Sequence, residues 1–421
     1  MENQKDSPPP LHLFPLIFVT ITHFWIFFHN VPETIKEYPM KTNMKRVRTV
    51  SYILPMNASF WYQIWNEIAG LDEEMMEQVM NSIFNNHSMS FTVNNFEFLT
   101  YKGKEMYDII YKHQNPPDCS LSQLRFFEMS KHFGGLGSNM HILGNSLGHA
   151  MNSNAIFYLS PHQTYSFIGG DFCKNSIGMQ CFVEPLTKCT PTHSHGRAQA
   201  YFGSYPSFMN AFLEGGPVPK NLYRLYWDIY SSLYLMRFNQ RTIDWMKEYR
   251  SKALINPMDC YDISIHVRHG DKHTEMTLID DSYYLAPIKI IKNLLGREPT
   301  IFLSTEDNRT IDFFLKHKPP YKVSYYKYER ANENFKQLEK RGAELSLISW
   351  ANFVESLNCA FHIGTYGSNW NRLIFEVQRG EHALKLKSNK CLNNNLHWMP
   401  YFEVGDCGRN FLGCRSFLLR H

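Results

Sequence analysis

The run His266-Val267-Arg268-His269-Gly270-Asp271-Lys272-His273-Thr274-Glu275 concentrates more chemistry than any other stretch of this chain. A planar guanidinium such as that of Arg268 can fork two oxygens of a diphosphate at once, which a lysine ammonium cannot do. Lys272 and Glu275 stand near enough in sequence to tune each other's pKa, and a tuned carboxylate suits a general base. A solvated loop with a surface salt bridge has the same composition, so the run's place in the fold decides between the two readings.

Three further runs carry hydroxyls, acids or glycines where a phosphate could be held. Leu303-Ser304-Thr305-Glu306-Asp307 ends an apolar stretch in a hydroxyl pair and two acids. Gly364-Thr365-Tyr366-Gly367-Ser368-Asn369 offers backbone N–H groups and small hydroxyls ahead of a helical pattern that contains Arg372. Gly134-Gly135-Leu136-Gly137-Ser138-Asn139-Met140-His141 permits close approach of a backbone to a phosphate. It is not a dinucleotide fingerprint, which requires a third spaced glycine and a following acid. Each run is also ordinary turn and cap chemistry. No D-x-D triplet occurs in the chain, the spacing with which many sugar transferases hold a divalent ion across a diphosphate. Neutralisation by arginine and backbone dipoles, without a metal ion or other cofactor, is therefore expected. Arg268-His269-Gly270 also opens the signature of the histidine acid phosphatases, but Lys272 and Thr274 stand where that signature continues with Arg and Pro.

The elements that must position these runs follow from apolar periodicity. Ala155–Leu159, Tyr261–Val267, Thr300–Ser304, Lys322–Tyr326 and Ala360–Ile363 read as strands. Tyr284–Leu295, Leu345–Leu357 and Trp370–Gln378 read as helices between them, and Leu222–Arg250 reads as one or two amphipathic helices. Alternation of apolar strands with helices predicts an α/β domain built on a parallel sheet covered on both faces. In such sheets the ligand sits at the carboxyl ends of the strands, where the runs after Val267, Ser304 and Ile363 all fall. Upstream, Phe60–Asn81 reads as a helix.

With 421 residues, 43% of them hydrophobic, the chain can hold two domains with their own cores. A net charge of +4 is too small to point to nucleic acid as the main partner. Leu11–Phe28 contains no Asp, Glu, Lys or Arg, and as a helix it would span roughly 27 Å, near the thickness of a bilayer core. It predicts a membrane anchor, with a cleaved signal peptide as the alternative, although the basic residues cluster after the segment rather than before it. Nine cysteines without a C-x-x-C pair argue for disulfides over a zinc site, and the odd count leaves at least one thiol outside an internal bridge. Asn57, Asn86 and Asn308 fit the N-glycan acceptor pattern.

HVRHGDKHTE, LSTED and GTYGSNWNRL, in that order, resemble segments of the α1,6-fucosyltransferase family (glycosyltransferase family 23). Its members core-fucosylate N-glycans in animals and fucosylate chitin oligosaccharides in rhizobia. QNPPDCS at Gln114–Ser120, GLGSNMH at Gly135–His141, PLTKC at Pro185–Cys189 and LYLMRFN at Leu233–Asn239 extend the resemblance over about Gln114 to Gln378. It implies a GT-B-like arrangement of two α/β halves, here residues 114–255 and a Rossmann-like GDP-fucose-binding half at 256–421, after an anchor (1–30) and a helical stem (31–113). The implied reaction is an inverting, metal-independent transfer of L-fucose from GDP-fucose to a glycan, in α1,6 linkage to GlcNAc. Carried over by position, Arg268 would grip the β-phosphate, with His266, Asp271, Gly135 and Gly137 beside the donor. Glu275 would be the base and Lys272 its relay, with one residue fewer between them than in the animal enzymes. Glu306 and Asp307 would support the donor site, Ser368 and Asn369 would contact the nucleotide, and Asn352 stands near a family Asp that recognises guanine. Cys119 and Cys189 stand where the family has a disulfide. The resemblance further implies a Golgi membrane protein of single-pass type II topology, or a secreted one, with a homodimer left open. The tail after Gln378 is shorter than that family's SH3-like domain, so the acceptor is the less constrained half of the expectation. A protein O-fucosyltransferase, which shares an H-x-R-type donor motif, and a silent relative that binds GDP-fucose or glycan are the alternatives.

Overall fold

Seven strands form the larger sheet of this computed structural model, and its centre explains the alternation read above. Residues 91–94, 97–120, 125–129, 135–159, 166–174, 178–190, 196–198, 205–269, 278–317, 321–330, 335–365, 367–384 and 401–404 are described. All of them belong to one compact unit, 45–421. The apolar segment Leu11–Phe28, the helix read at Phe60–Asn81, Asn57, Asn86 and Cys391, Cys407 and Cys414 lie outside the described residues. No helix among the described residues is long and apolar enough to cross a membrane.

The strands are β1 (Phe91–Asn94), β2 (Arg125–Met129), β3 (Ala155–Tyr158), β4 (Gly196–Ala198), β5 (Leu254–Ile255), β6 (Tyr261–Val267), β7 (Thr300–Thr305), β8 (Lys322–Tyr326), β9 (Cys359–Gly364) and β10 (Tyr401–Val404). The larger sheet runs β1-β10-β9-β6-β7-β8-β5. Its five central strands are mutually parallel, with β1 and β5 antiparallel at the two edges. Helices α5 (Leu285–Leu295), α6 (Asn308–Lys316), α7 (Phe335–Leu357) and α8 (Asn369–Leu384) fall between successive strands from β6 to β10. Counting from β6, the central order is third, second, first, fourth, fifth, the doubly wound order of a mononucleotide-binding unit. A second, smaller sheet, β3-β2-β4, is also parallel.

Around these sheets lie α1 (Gly103–Gln114), α2 (Leu136–Asn152), α3 (Tyr223–Leu235) and α4 (Gln240–Ala253). The expected amphipathic stretch at Leu222–Arg250 is two helices, and the first is not amphipathic. Every residue of α3 except Arg224 is buried. Aromatic residues allow this because their polar tips find backbone carbonyls: Tyr226 Oη donates to Tyr101 O (2.6 Å), Tyr230 Oη to Leu99 O (2.7 Å) and Trp227 Nε1 to Gly144 O (3.1 Å). Helix α4 takes the amphipathic role, opened by Asn239, whose side chain accepts from Thr242 N (2.9 Å).

The structure contains the Cys119–Cys189 disulfide that the family resemblance implied. A second bridge, Cys173–Cys181, closes a short loop. Cys260 is also disulfide-bonded, and the buried Cys359 thiol donates to Glu355 O at 3.3 Å.

Candidate functional site

Doubly wound sheets bind ligands in the crevice where successive strands depart to opposite sides, at the carboxyl ends. Here that point lies between β6 and β9. The chain leaves β6 for β7 on one side, whereas β9 pairs with β6 on the other. The Arg268 run and the Gly364–Asn369 loop flank this point. Register places the LSTED acids at the same edge, with His266 opposite Ser304 and Val267 opposite Thr305. Sequence spacing and sheet topology therefore converge on one location.

Arg268 is half-buried, and its Nη1 donates to Glu306 Oε1 at 2.5 Å. Next to it, His269 is pinned on both sides, with Nε2 against Ile279 O (2.9 Å) and Nδ1 against Asp307 Oδ2 (3.3 Å). A carbonyl accepts only, so Nε2 carries the proton, and the remaining nitrogen faces a carboxylate. A nucleophilic imidazole needs a free ring nitrogen, so this arrangement disfavours the phosphatase reading. Asp307 caps α6, accepting from Arg309 N (2.9 Å), and its carboxyl is held down at about 2 by the Arg309 side chain first, then by that N–H and His269. Glu306 thus meets the arginine, while Asp307 organises the helix start and the His269 loop.

His266 is 6% exposed. Burial, reinforced by His362 and Arg268, pushes its imidazole down to about 3, so it is neutral near pH 7. Its Nδ1 has no hydrogen-bond partner among the described residues. Ser368 sits at the N-terminus of α8 with its hydroxyl toward Asn371 N at 3.5 Å, and Ser368 N donates to Thr365 O (3.1 Å). Asn369 Oδ1 accepts from Arg372 Nη2. Loop and cap chemistry together present a helix N-terminus toward the switch point, a natural anion seat.

The glycine run meets this seat from the other part of the chain. Gly135 is exposed and stands at the N-cap of α2, which begins at Leu136, so part of the expected loop is helix. Gly137 is buried, and a Cβ there would stand 3.0 Å from Trp370 N and 3.1 Å from Asn369 C. Two helix N-termini therefore abut backbone to backbone, because residue 137 has no side chain. Farther along α2, Gly144 and Gly148 allow the same closeness to α3: a Cβ would stand 2.8 Å from Ser231 Oγ and 3.3 Å from the Trp227 indole.

Asn352 is buried within α7 and spends its amide nitrogen on Ile348 O (2.8 Å), one turn back in its own helix. Asp271, Lys272 and Glu275 lie outside the described residues. Among the described residues no cluster of His, Cys, Asp or Glu could hold a metal ion.

No protein-family profile matches the chain, and no curated protein sequence matches it. Solved structures do. The chain is similar to the α-1,6-fucosyltransferase NodZ in a crystal soaked with GDP-fucose, at 13% identity over 61% of this chain and 93% of that one, with a TM-score of 0.36. It is similar to fucosyltransferase NodZ from Bradyrhizobium at 13% identity, covering 60% and 92%, TM-score 0.36. POFUT1 in complex with GDP-fucose matches at 12% identity, covering 68% and 99%, TM-score 0.36.

Three groups at the site were not singled out from sequence. His362 and Asn371 are buried beneath the Gly364–Asn369 loop, and Trp370 packs on Trp350 with ring centroids 5.1 Å apart. The alternation in YDISIHV was the available signal. A central parallel strand is normally apolar throughout, so Ser264 and His266 mark a polar face. Behind the seat, Glu376 of α8 bonds His141 of α2 (3.0 Å) and Ser232 of α3 (2.8 Å). Burial would raise the Glu376 carboxyl, but His141, Ser232 and Arg372 outweigh it and hold it below the ordinary value.

Gly137→Ala is expected to push the starts of α2 and α8 apart, since the obstructing atoms are backbone rather than a movable side chain. Overpacking of this kind costs about 1–3 kcal/mol. A denaturant midpoint equal to that of the parent chain would show that the two helix starts do not constrain each other.

Proposed function

We propose that this chain is an inverting, metal-independent fucosyltransferase that moves L-fucose from GDP-fucose to a glycan acceptor, in α1,6 linkage to GlcNAc. The observation that carries the reading is the topology of the site. The arginine-bearing and serine-bearing runs flank the switch point of a doubly wound sheet, and the glycine-bearing helix start is packed on the second of them. The order of these runs along the chain supports the same reading.

In this reading Arg268 holds the β-phosphate, and Ser368 and Asn369 at the start of α8 receive the remaining negative charge. His266, neutral and buried, lies beside the donor with Gly135 and Gly137, and Glu306 holds the arginine in place. Glu275, with Lys272 as relay and Asp271 nearby, takes the proton from the acceptor hydroxyl. The freed oxygen attacks fucose C1 on the face opposite the diphosphate. The C1–O bond breaks, its electron pair leaves with GDP, and the arginine and oriented N–H groups stabilise that charge. Leu11–Phe28 would anchor the protein in the Golgi membrane with the catalytic part in the lumen.

The test is transfer from labelled GDP-fucose to a panel of N-glycans and chitin oligosaccharides in the presence of EDTA. Fucosylated product is expected with the parent chain. Glu275→Gln is expected to abolish product while GDP binding persists, and unchanged transfer would remove Glu275 as the base. GDP binding without turnover on any acceptor would identify a silent relative instead.

A further inference from the structure

The geometry points to Asn371 as a positioning residue for the loop that receives the diphosphate, acting through Thr365 and held in turn by His362. The inference rests on the GDP-fucose reading above. Parallel strands covered on both faces are ordinarily apolar throughout, yet β6 and β9 carry Ser264, His266 and His362 in their buried interior. Register places Ser264 directly opposite His362. Such groups destabilise a core unless every partner is supplied.

Here the partners form a directed chain. Asn371 Nδ2 donates to Thr365 O at 3.1 Å, which turns the amide oxygen toward His362 Nε2 at 3.2 Å. An accepting oxygen requires the imidazole proton on Nε2, leaving Nδ1 to accept from the Ser264 hydroxyl at 3.1 Å. Burial pushes His362 down to about 4, so the neutral ring this scheme needs is the one present near pH 7. Each donor thus points from the strand toward the loop.

The loop end of the chain is equally determined. Thr365 O accepts from both Asn371 Nδ2 and Ser368 N, using both lone pairs and closing the turn that leads into α8. Gly364 begins the loop, and a Cβ there would stand 2.3 Å from Asn371 Oδ1, so the amide lies flat against the backbone. No phosphate contact by Asn371 is needed. Its effect is to fix where the Ser368 hydroxyl and the first turn of α8 stand before any ligand arrives, which lowers the ordering cost of binding.

Asn371→Asp tests this, because it keeps the shape and the acceptor toward His362 while replacing the donor toward Thr365 O by an oxygen. In the full chain, hydrogen exchange at Thr365, Ser368 and Asn369 is expected to accelerate while β6 and β7 stay protected. GDP affinity measured by titration calorimetry is expected to fall at least about tenfold. Unchanged loop exchange with unchanged GDP affinity overturns the inference. Equal loss of protection across the whole sheet also overturns it, since Asn371 would then be a fold residue alone. Should this variant fail to fold, His362→Gln and His362→Leu decide. Glutamine retains a donor toward Asn371 and should bind GDP like the parent, leucine should not, and equal affinity in the two overturns the inference. If the parent chain binds no GDP but its loop responds to Asn371→Asp as stated, the donor reading falls and the hold of Asn371 on the loop stands.

Discussion

Arg268→Lys is expected to lower turnover of GDP-fucose by roughly 100-fold or more, the range seen when one oriented donor to a developing anion is lost. The substitution keeps the positive charge, and an ammonium can still meet Glu306, which now holds Nη1 at 2.5 Å. The fold should therefore survive, with a denaturant midpoint close to that of the parent. What is lost is the planar fork, which can hold one edge against Glu306 while another faces the leaving oxygen. The effect should appear mainly in kcat, because the charge on that oxygen grows only as the glycosidic bond breaks. Steady-state kinetics with saturating acceptor checks this. Near-parental kcat would take the leaving-group role from Arg268 and leave the pair with Glu306 as a fold contact.

The sheet was legible because the strands at Tyr261, Thr300, Lys322 and Cys359 are short apolar runs separated by helical spacing, and their carboxyl ends carry the chemistry. Sequence alone could not give the strand order. That order is decided by long-range pairing, and only the placement of β9 beside β6 brings the starts of two separate polar runs to neighbouring strand ends. Strand β1 illustrates the limit further. Its residues fall in the segment read as stem, yet they close the edge of the larger sheet by antiparallel pairing with β10. Four residues give too little periodicity to reveal such a partner.

The glycine run shows a different kind of miss. The run from Gly134 reads as one whose glycines permit close backbone approach to a phosphate, but Gly137 lies inside α2, where packing overrides the low helix propensity of glycine. Gly137, Gly144 and Gly148 stand where α8 and α3 approach closely enough to crowd a Cβ, a tertiary preference invisible to local propensity. The same holds for Asn371 and His362. Each is unremarkable in sequence, and each gains meaning only when β9, β6 and the first turn of α8 enclose them together.

Those two buried imidazoles make acid the condition that should destabilise this fold most. Folding depresses His266 to about 3 and His362 to about 4, in both cases chiefly through burial, against an ordinary value of 6.5. Below pH 6.5 the unfolded chain binds protons that the native state refuses, so stability present at neutral pH is lost as the pH falls toward those values. The slope approaches ~1.4 kcal/mol per pH unit for each imidazole only well below pH 6.5, so the pair should remove about 3 kcal/mol between pH 6.5 and 5, a large share of a typical domain's stability. Glu376, held below its ordinary value, adds to the loss at lower pH, whereas Asp228, raised by burial, works in the opposite sense. Urea unfolding at pH 7, 6 and 5 should show a falling midpoint, and His362→Gln, which removes one titrating ring while keeping a donor toward Asn371, should make that fall about half as steep. A midpoint that stays level from pH 7 to 5 would mean that water or a rearranged loop solvates these rings. In that case the neutral imidazole assigned to the floor of the site would not be the species present.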